Sequence, residues 1–245
     1  ANATRCISEM SVINGETRKI APTQGNPMGP IGKGTAIGAS ALAALAIIAA
    51  FIQTLIANDP DFSLELTSPE NLIGLFLGGA LPFIITGLTL TAVGDVARSV
   101  VNGTHRRVAE ATSSLKSAGE LDAAQHIEIA SAATHGKALL PGLVALTIPW
   151  IVGFGIGPHA LGGFLTGALL TSVLLALMLT NTGWAWRDTE KRMGMSDFEG
   201  QGDDAQASNM VSNTGSGPLK DTAGPAMCVL INVMAIISLV IAPLL

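Results

Sequence analysis

The chain has 245 residues, of which 49% are hydrophobic and only 13% charged, about half the charged share of an ordinary soluble domain. Its net charge of -5, with basic residues scattered over several segments, excludes the concentrated basic face of a nucleic-acid-binding protein. Two distant cysteines, Cys6 and Cys228, exclude a disulfide scaffold.

Residues 1–33 read as a polar segment on one side of a membrane, and the first 32 carry no cleavable signal pattern. The start at Ala1, without methionine, is compatible with a processed chain, a fragment or a partial gene product. A spanning helix needs ~20 mostly apolar residues. Five segments qualify, at 34–57, 71–94, 138–157, 160–186 and 222–245. The expected fold is therefore all-α, a multi-pass transmembrane bundle over 34–245 with connectors at 95–137 and 187–221. Within the connectors, 93–115 reads as the second span continuing into a polar helix, and 121–133 as a second short helix. Residues 193–216 show no hydrophobic period and are expected to form a loop. Gly74-Leu-Phe-Leu-Gly78 and Gly163-Phe-Leu-Thr-Gly167 have the small-xxx-small spacing that lets membrane helices approach closely.

Threading the five spans as a serpentine puts all thirteen Lys and Arg on one side. The other side receives Asp59, Asp61, Glu65 and Glu70, the Pro158-His159 turn and the C-terminus. The basic side is expected to be cytoplasmic or its equivalent. His105, His126, His135 and His159 never fall three or four apart, so no metal site built from His or Cys is expected.

The last span opens on Pro218-Leu-Lys-Asp-Thr-Ala-Gly-Pro225, which places Lys220 and Asp221 at the mouth of an uncharged run. Ionisable groups at membrane depth point to function. At the headgroups the same pair is a helix start, with Asp221 near the positive helix end and Lys220 snorkelling to water. Position alone leaves both readings open.

Taken in order, Ile31-Gly-Lys-Gly-Thr-Ala-Ile-Gly38, Gly78-Gly-Ala-Leu-Pro82, Leu140-Pro-Gly-Leu143, Asn181-Thr-Gly183 with Ala185-Trp186, and Pro218–Pro225 resemble the membrane-integral pyrophosphatases. The set is similar to the last five helices of that family, and Ser8-Glu9-Met10 to the end of the helix before them. The resemblance implies a pump that couples pyrophosphate hydrolysis to export of protons or sodium ions at a magnesium-rich cytoplasmic site. Lys33 and Asn181 fall on family motifs, and Lys220 and Asp221 on positions of the ion gate.

Departures from the pattern are severe. Asn213 and Gly217 stand where the resemblance implies aspartates, Arg187 where it implies another, and Asn2 where it implies a fourth. Trp184 replaces a glycine, Glu190 a lysine, and Arg5 a further glycine. Magnesium prefers anionic oxygen ligands, and a pyrophosphate site needs several such ions. Asparagine lends one neutral oxygen, glycine none, and arginine repels the metal. The expectation is accordingly a non-catalytic pyrophosphatase-like membrane subunit, a structural or assembly component of a larger complex. No catalytic residue or cofactor is expected. The alternative is the C-terminal part of a working proton or sodium pump, which would need Mg2+. Lys33 is expected to snorkel, Trp184 and Trp186 to join an interfacial aromatic belt, and Lys220 and Asp221 to point apart and find separate partners. Faces at Thr35, Gly38, Ala39 and Leu42, and at Ala226, Leu230, Val233 and Ile237, are expected to meet other membrane subunits or a second copy, with lipid around the rest.

Overall fold

The computed structural model describes residues 28–65, 67–113, 140–193 and 217–245. These residues fold as an all-α bundle without strands. Helix α1 spans Met28–Asn58, α2 Pro69–Ser113 and α4 Pro158–Met193. Helix α3 covers Leu140–Gly155. The last element opens as a π-helical turn over Pro218–Ala223, continues as α5 over Gly224–Ile241 and ends in a 3-10 turn, Ala242–Leu244. Four of the five, all but α3, are long and apolar enough to cross a membrane, and the chain is an integral membrane protein.

The third expected span lies partly outside the described residues. It is described from Leu140 onward, and the 16 residues to Gly155 rise about 24 Å of a ~30 Å hydrocarbon core. The stop is local: Gly157 takes φ 128°, a left-handed conformation that suits glycine, and Pro158 opens the next helix. The polar extension of the second span is continuous with it in α2, as expected. The helix expected at 121–133 and the loop expected at 193–216 lie, apart from Met193, outside the described residues.

Backbone contact between α2 and α4 organises the bundle. A Cβ on Gly74 would collide with the Ala160 carbonyl, and one on Gly78 with that of Phe164. Reciprocally, Gly163 rides on Asn71 and Gly167 on the Leu75 carbonyl. The two small-xxx-small motifs therefore face each other, and both numberings rise together, so the helices run parallel. Phe164, Leu161 and Leu165 of α4 are fully buried, and 56% of that helix's apolar window is covered against 22% for α1. Helix α4 is thus the axis of the bundle and α1 its outermost long helix.

Helix α1 runs parallel to α5. Ser40 Oγ donates to the Cys228 carbonyl at 3.0 Å, and Asn232 Nδ2 donates to Ser40 Oγ at 2.6 Å. At one end Phe62 packs on His159 with ring centroids 4.5 Å apart, and His159 Nδ1 lies 3.9 Å from Glu70. Lys33, Trp184 and Lys220 gather at the opposite end. This is the relative arrangement that a serpentine requires. Thr35, Gly38, Ala39 and Leu42 are exposed on α1. On α5 the expectation fails in part: Leu230 is buried, and Ala226, Val233 and Ile237 are half-buried. Pro141, Ala145 and Leu146 of α3 face Ala226, Leu230 and Val233 across an apolar groove of about 420 Å³.

Candidate functional site

The cluster of ionic groups is assembled by a local defect in the last helix. In the π turn the Gly224 N–H donates to the Leu219 carbonyl, five residues back. The Lys220 carbonyl would look in turn to residue 225, which is a proline and has no N–H. A buried carbonyl without a donor is costly. Lys33 of α1 supplies one: its Nζ donates to the Lys220 carbonyl at 2.7 Å.

The same ammonium pairs with one carboxylate oxygen of Asp221, while Lys220 pairs with the other. Lys220 is 3% exposed, whereas Asp221 is open on one side. Two expectations are corrected here. Lys33 does not snorkel, because the orphaned carbonyl and the Asp221 carboxylate draw it inward. Lys220 and Asp221 do not point apart, because the wider π turn lets adjacent side chains meet; Lys33 is nonetheless the partner that Asp221 finds elsewhere in the bundle.

Trp184 of α4 forms the floor. Its ring centroid lies 5.3 Å from Lys220 Nζ, 5.9 Å from Arg187 Cζ and 6.0 Å from Lys33 Nζ. Gly29 makes room for the ring: a Cβ there would come within 2.7 Å of Trp184 Cη2. Trp184 is thus half-buried against α1 and not a lipid-facing belt residue, and its Nε1 is buried with no hydrogen-bond partner among the described residues. Trp186, 43% exposed, remains outward-facing as expected. Nothing in the sequence marked Trp184 as a meeting point, although a glycine-rich helix start at Gly29-Pro-Ile-Gly32 is the surface on which such a ring can lie.

The other site residues stand as follows. Arg187 joins the cluster through the Trp184 ring. Gly217 caps the π turn with ordinary helical φ and ψ of -60° and -58°, and a Cβ there would meet none of the described residues within 4 Å, so the backbone does not demand glycine. Asn181 is exposed on α4 and makes none of these contacts. Asn2 and Asn213 lie outside the described residues. Among the described residues no three His, Cys, Asp or Glu side chains stand together as metal ligands, and both Asp221 oxygens are taken by ammonium groups. These residues do not by themselves fit a magnesium ion. Lys33, Lys220 and Arg187 against Asp221 leave a net charge of +2, which suits a polyanion.

Comparison with known proteins gives this arrangement a context. A family model for inorganic H+ pyrophosphatases matches residues 1–241. A K(+)-insensitive pyrophosphate-energized proton pump of Methanosarcina mazei is 34% identical over 97% of this chain and 36% of its own length. A putative K(+)-stimulated pyrophosphate-energized sodium pump of Clostridium tetani is 35% identical over 97% of this chain and 35% of its own length. A K(+)-insensitive proton pump of Chloroflexus aurantiacus, also pyrophosphate-energized, is 33% identical over 97% of this chain and 32% of its own length. The chain spans about a third of the length of the relatives it matches. With a matching model over almost all of its residues and pumps as its relatives, the chain belongs to the inorganic H+ pyrophosphatase family.

Proposed function

We propose that the chain is the C-terminal part of a pyrophosphate-energised proton or sodium pump, and that its Lys33 end faces the cytoplasm. The observation that carries this reading is the Lys33–Asp221–Lys220 cluster, drawn from two helices and surplus in positive charge. Lys33 and Lys220 hold the oxygens of the pyrophosphate, and Asp221 keeps the two ammonium groups apart and aimed. Family membership and the named activities of the relatives support it. The open α1 face at Thr35, Gly38, Ala39 and Leu42 is where further helices of the same pump pack.

Magnesium, when bound with pyrophosphate, supplies the charge neutralisation that phosphoryl transfer requires. Among the described residues no group of three carboxylate, His or Cys ligands stands ready to hold it. The reading takes the place of the non-catalytic subunit expected from Asn2, Arg187, Asn213 and Gly217, since every relative named above is a pump. One observation favours a non-catalytic chain: the Trp184 ring fills the space beside Gly29 at the heart of the cluster.

Phosphate release decides between them. Membranes holding this chain together with the remaining two thirds of a pump are expected to release phosphate from pyrophosphate, dependent on magnesium and blocked by a non-hydrolysable bisphosphonate. Release no higher than in a heat-killed control, over a full magnesium titration, would return the chain to the non-catalytic class.

A further inference from the structure

Among the described residues three cations surround Trp184, and none accepts its indole N–H. Cation–π attraction of about 0.5–2 kcal/mol per pair draws each cation to the ring, but it does not offset the repulsion of three like charges brought together around one side chain. Asp221 neutralises one of them. A buried N–H without an acceptor adds a further cost. Both deficits have one remedy, an anion whose oxygens reach the ammonium and guanidinium groups and the indole N–H together. The ring cannot simply turn away, because Gly29 and α1 close one side of it.

We infer that Trp184 is an anion-contacting residue, whose Nε1–H donates to an oxygen of a phosphate-type anion that Lys33, Lys220 and Arg187 draw in. Pyrophosphate is that anion on the pump reading, on which this inference rests for the identity of its ligand. A lipid headgroup offers the same phosphate chemistry at a membrane surface. Arg187 contributes a fixed positive charge to the site, so anion binding here persists without metal.

The test uses the full chain, purified with the subunits that accompany it, in nanodiscs of neutral lipid. Radiolabelled pyrophosphate binding is measured with a metal chelator present, alongside the 19F resonance of Trp184 in 5-fluorotryptophan-labelled protein, assigned by its loss in Trp184→Phe. Pyrophosphate is expected to bind and to shift that resonance. Trp184→Phe, which keeps a ring for the cations but loses the N–H, should weaken binding about tenfold, as expected for a hydrogen bond to a charged group. Arg187→Gln should weaken it comparably and make it depend on added magnesium. Undiminished binding by Trp184→Phe, with no 19F shift, overturns the contact and leaves the pump reading standing. If the wild type binds no pyrophosphate with or without magnesium, the pump reading falls. A 19F shift with orthophosphate, or on moving to nanodiscs of anionic phospholipid, then still upholds the Trp184 contact with its source identified. Silence towards all three overturns it.

Discussion

Asp221→Asn is expected to lose phosphate release by about a hundredfold and to unfold at lower temperature. The carboxylate is the partner of two ammonium groups, one of which, Lys220, is almost wholly buried. Breaking a buried pair costs ~3–5 kcal/mol because a charge is left uncompensated; Asp221 is open to solvent on one side, so about 2–3 kcal/mol is the expected loss here. An amide offers one acceptor where two were used and turns a donor towards an ammonium. Asp221→Glu keeps the charge and should retain part of the activity. Thermal unfolding in mild detergent and the rate of phosphate release measure the two effects. Wild-type values of both in Asp221→Asn would mean that the cluster is neither a structural tie nor part of the site.

Gly78→Leu is expected to be the most damaging change to the fold. At most core positions overpacking costs about 1–3 kcal/mol, because side chains can shift. Here the obstacle is the Phe164 carbonyl, part of the backbone of the central helix, so α2 and α4 must separate. Separation uncovers Gly74, Gly163 and Gly167 together, and the loss should exceed ~3 kcal/mol. Gly87→Leu is the control: it lies on the same helix, is exposed, and a Cβ there meets nothing within 4 Å. A thermal-shift series is expected to show a folded Gly87→Leu protein and little or no folded Gly78→Leu protein. Equal stability of the two would remove the α2–α4 contact from the account.

Much of this architecture was legible because its causes are local in sequence. Uncharged runs mark helices of spanning length, and glycines four apart mark a face where backbones can touch. Hydropathy is blind to where a helix stops, however. The segment at 138–157 is apolar throughout, yet the left-handed Gly157 and the following proline end α3 at Gly155. The candidate site was legible residue by residue and not as an arrangement. Lys33, Lys220, Asp221 and Arg187 each stood out by charge or motif. Their meeting depends on a π turn, on the missing N–H of Pro225, and on a carbonyl that only a distant lysine can satisfy. An α-helical projection separates Lys220 from Asp221, which is why separate partners were expected for them. Trp184 was read as an interfacial aromatic and as a replacement for a glycine, because neither its contact with Gly29 nor its N–H, unused among the described residues, leaves a trace in the sequence.

Pyrophosphate-driven ion movement tests the central claim most directly. Sealed inverted vesicles are prepared with this chain and the rest of the pump, so that the proposed cytoplasmic face is outside, and magnesium pyrophosphate is added to the medium. A pH-sensitive dye and 22Na+ uptake report proton and sodium entry in parallel. Uptake of one of the two ions is expected, beginning on addition of pyrophosphate, abolished by a bisphosphonate and absent with Asp221→Asn. Phosphate release or not, vesicles that take up neither ion while remaining sealed would contradict the assignment of this chain to a pyrophosphate-energised pump.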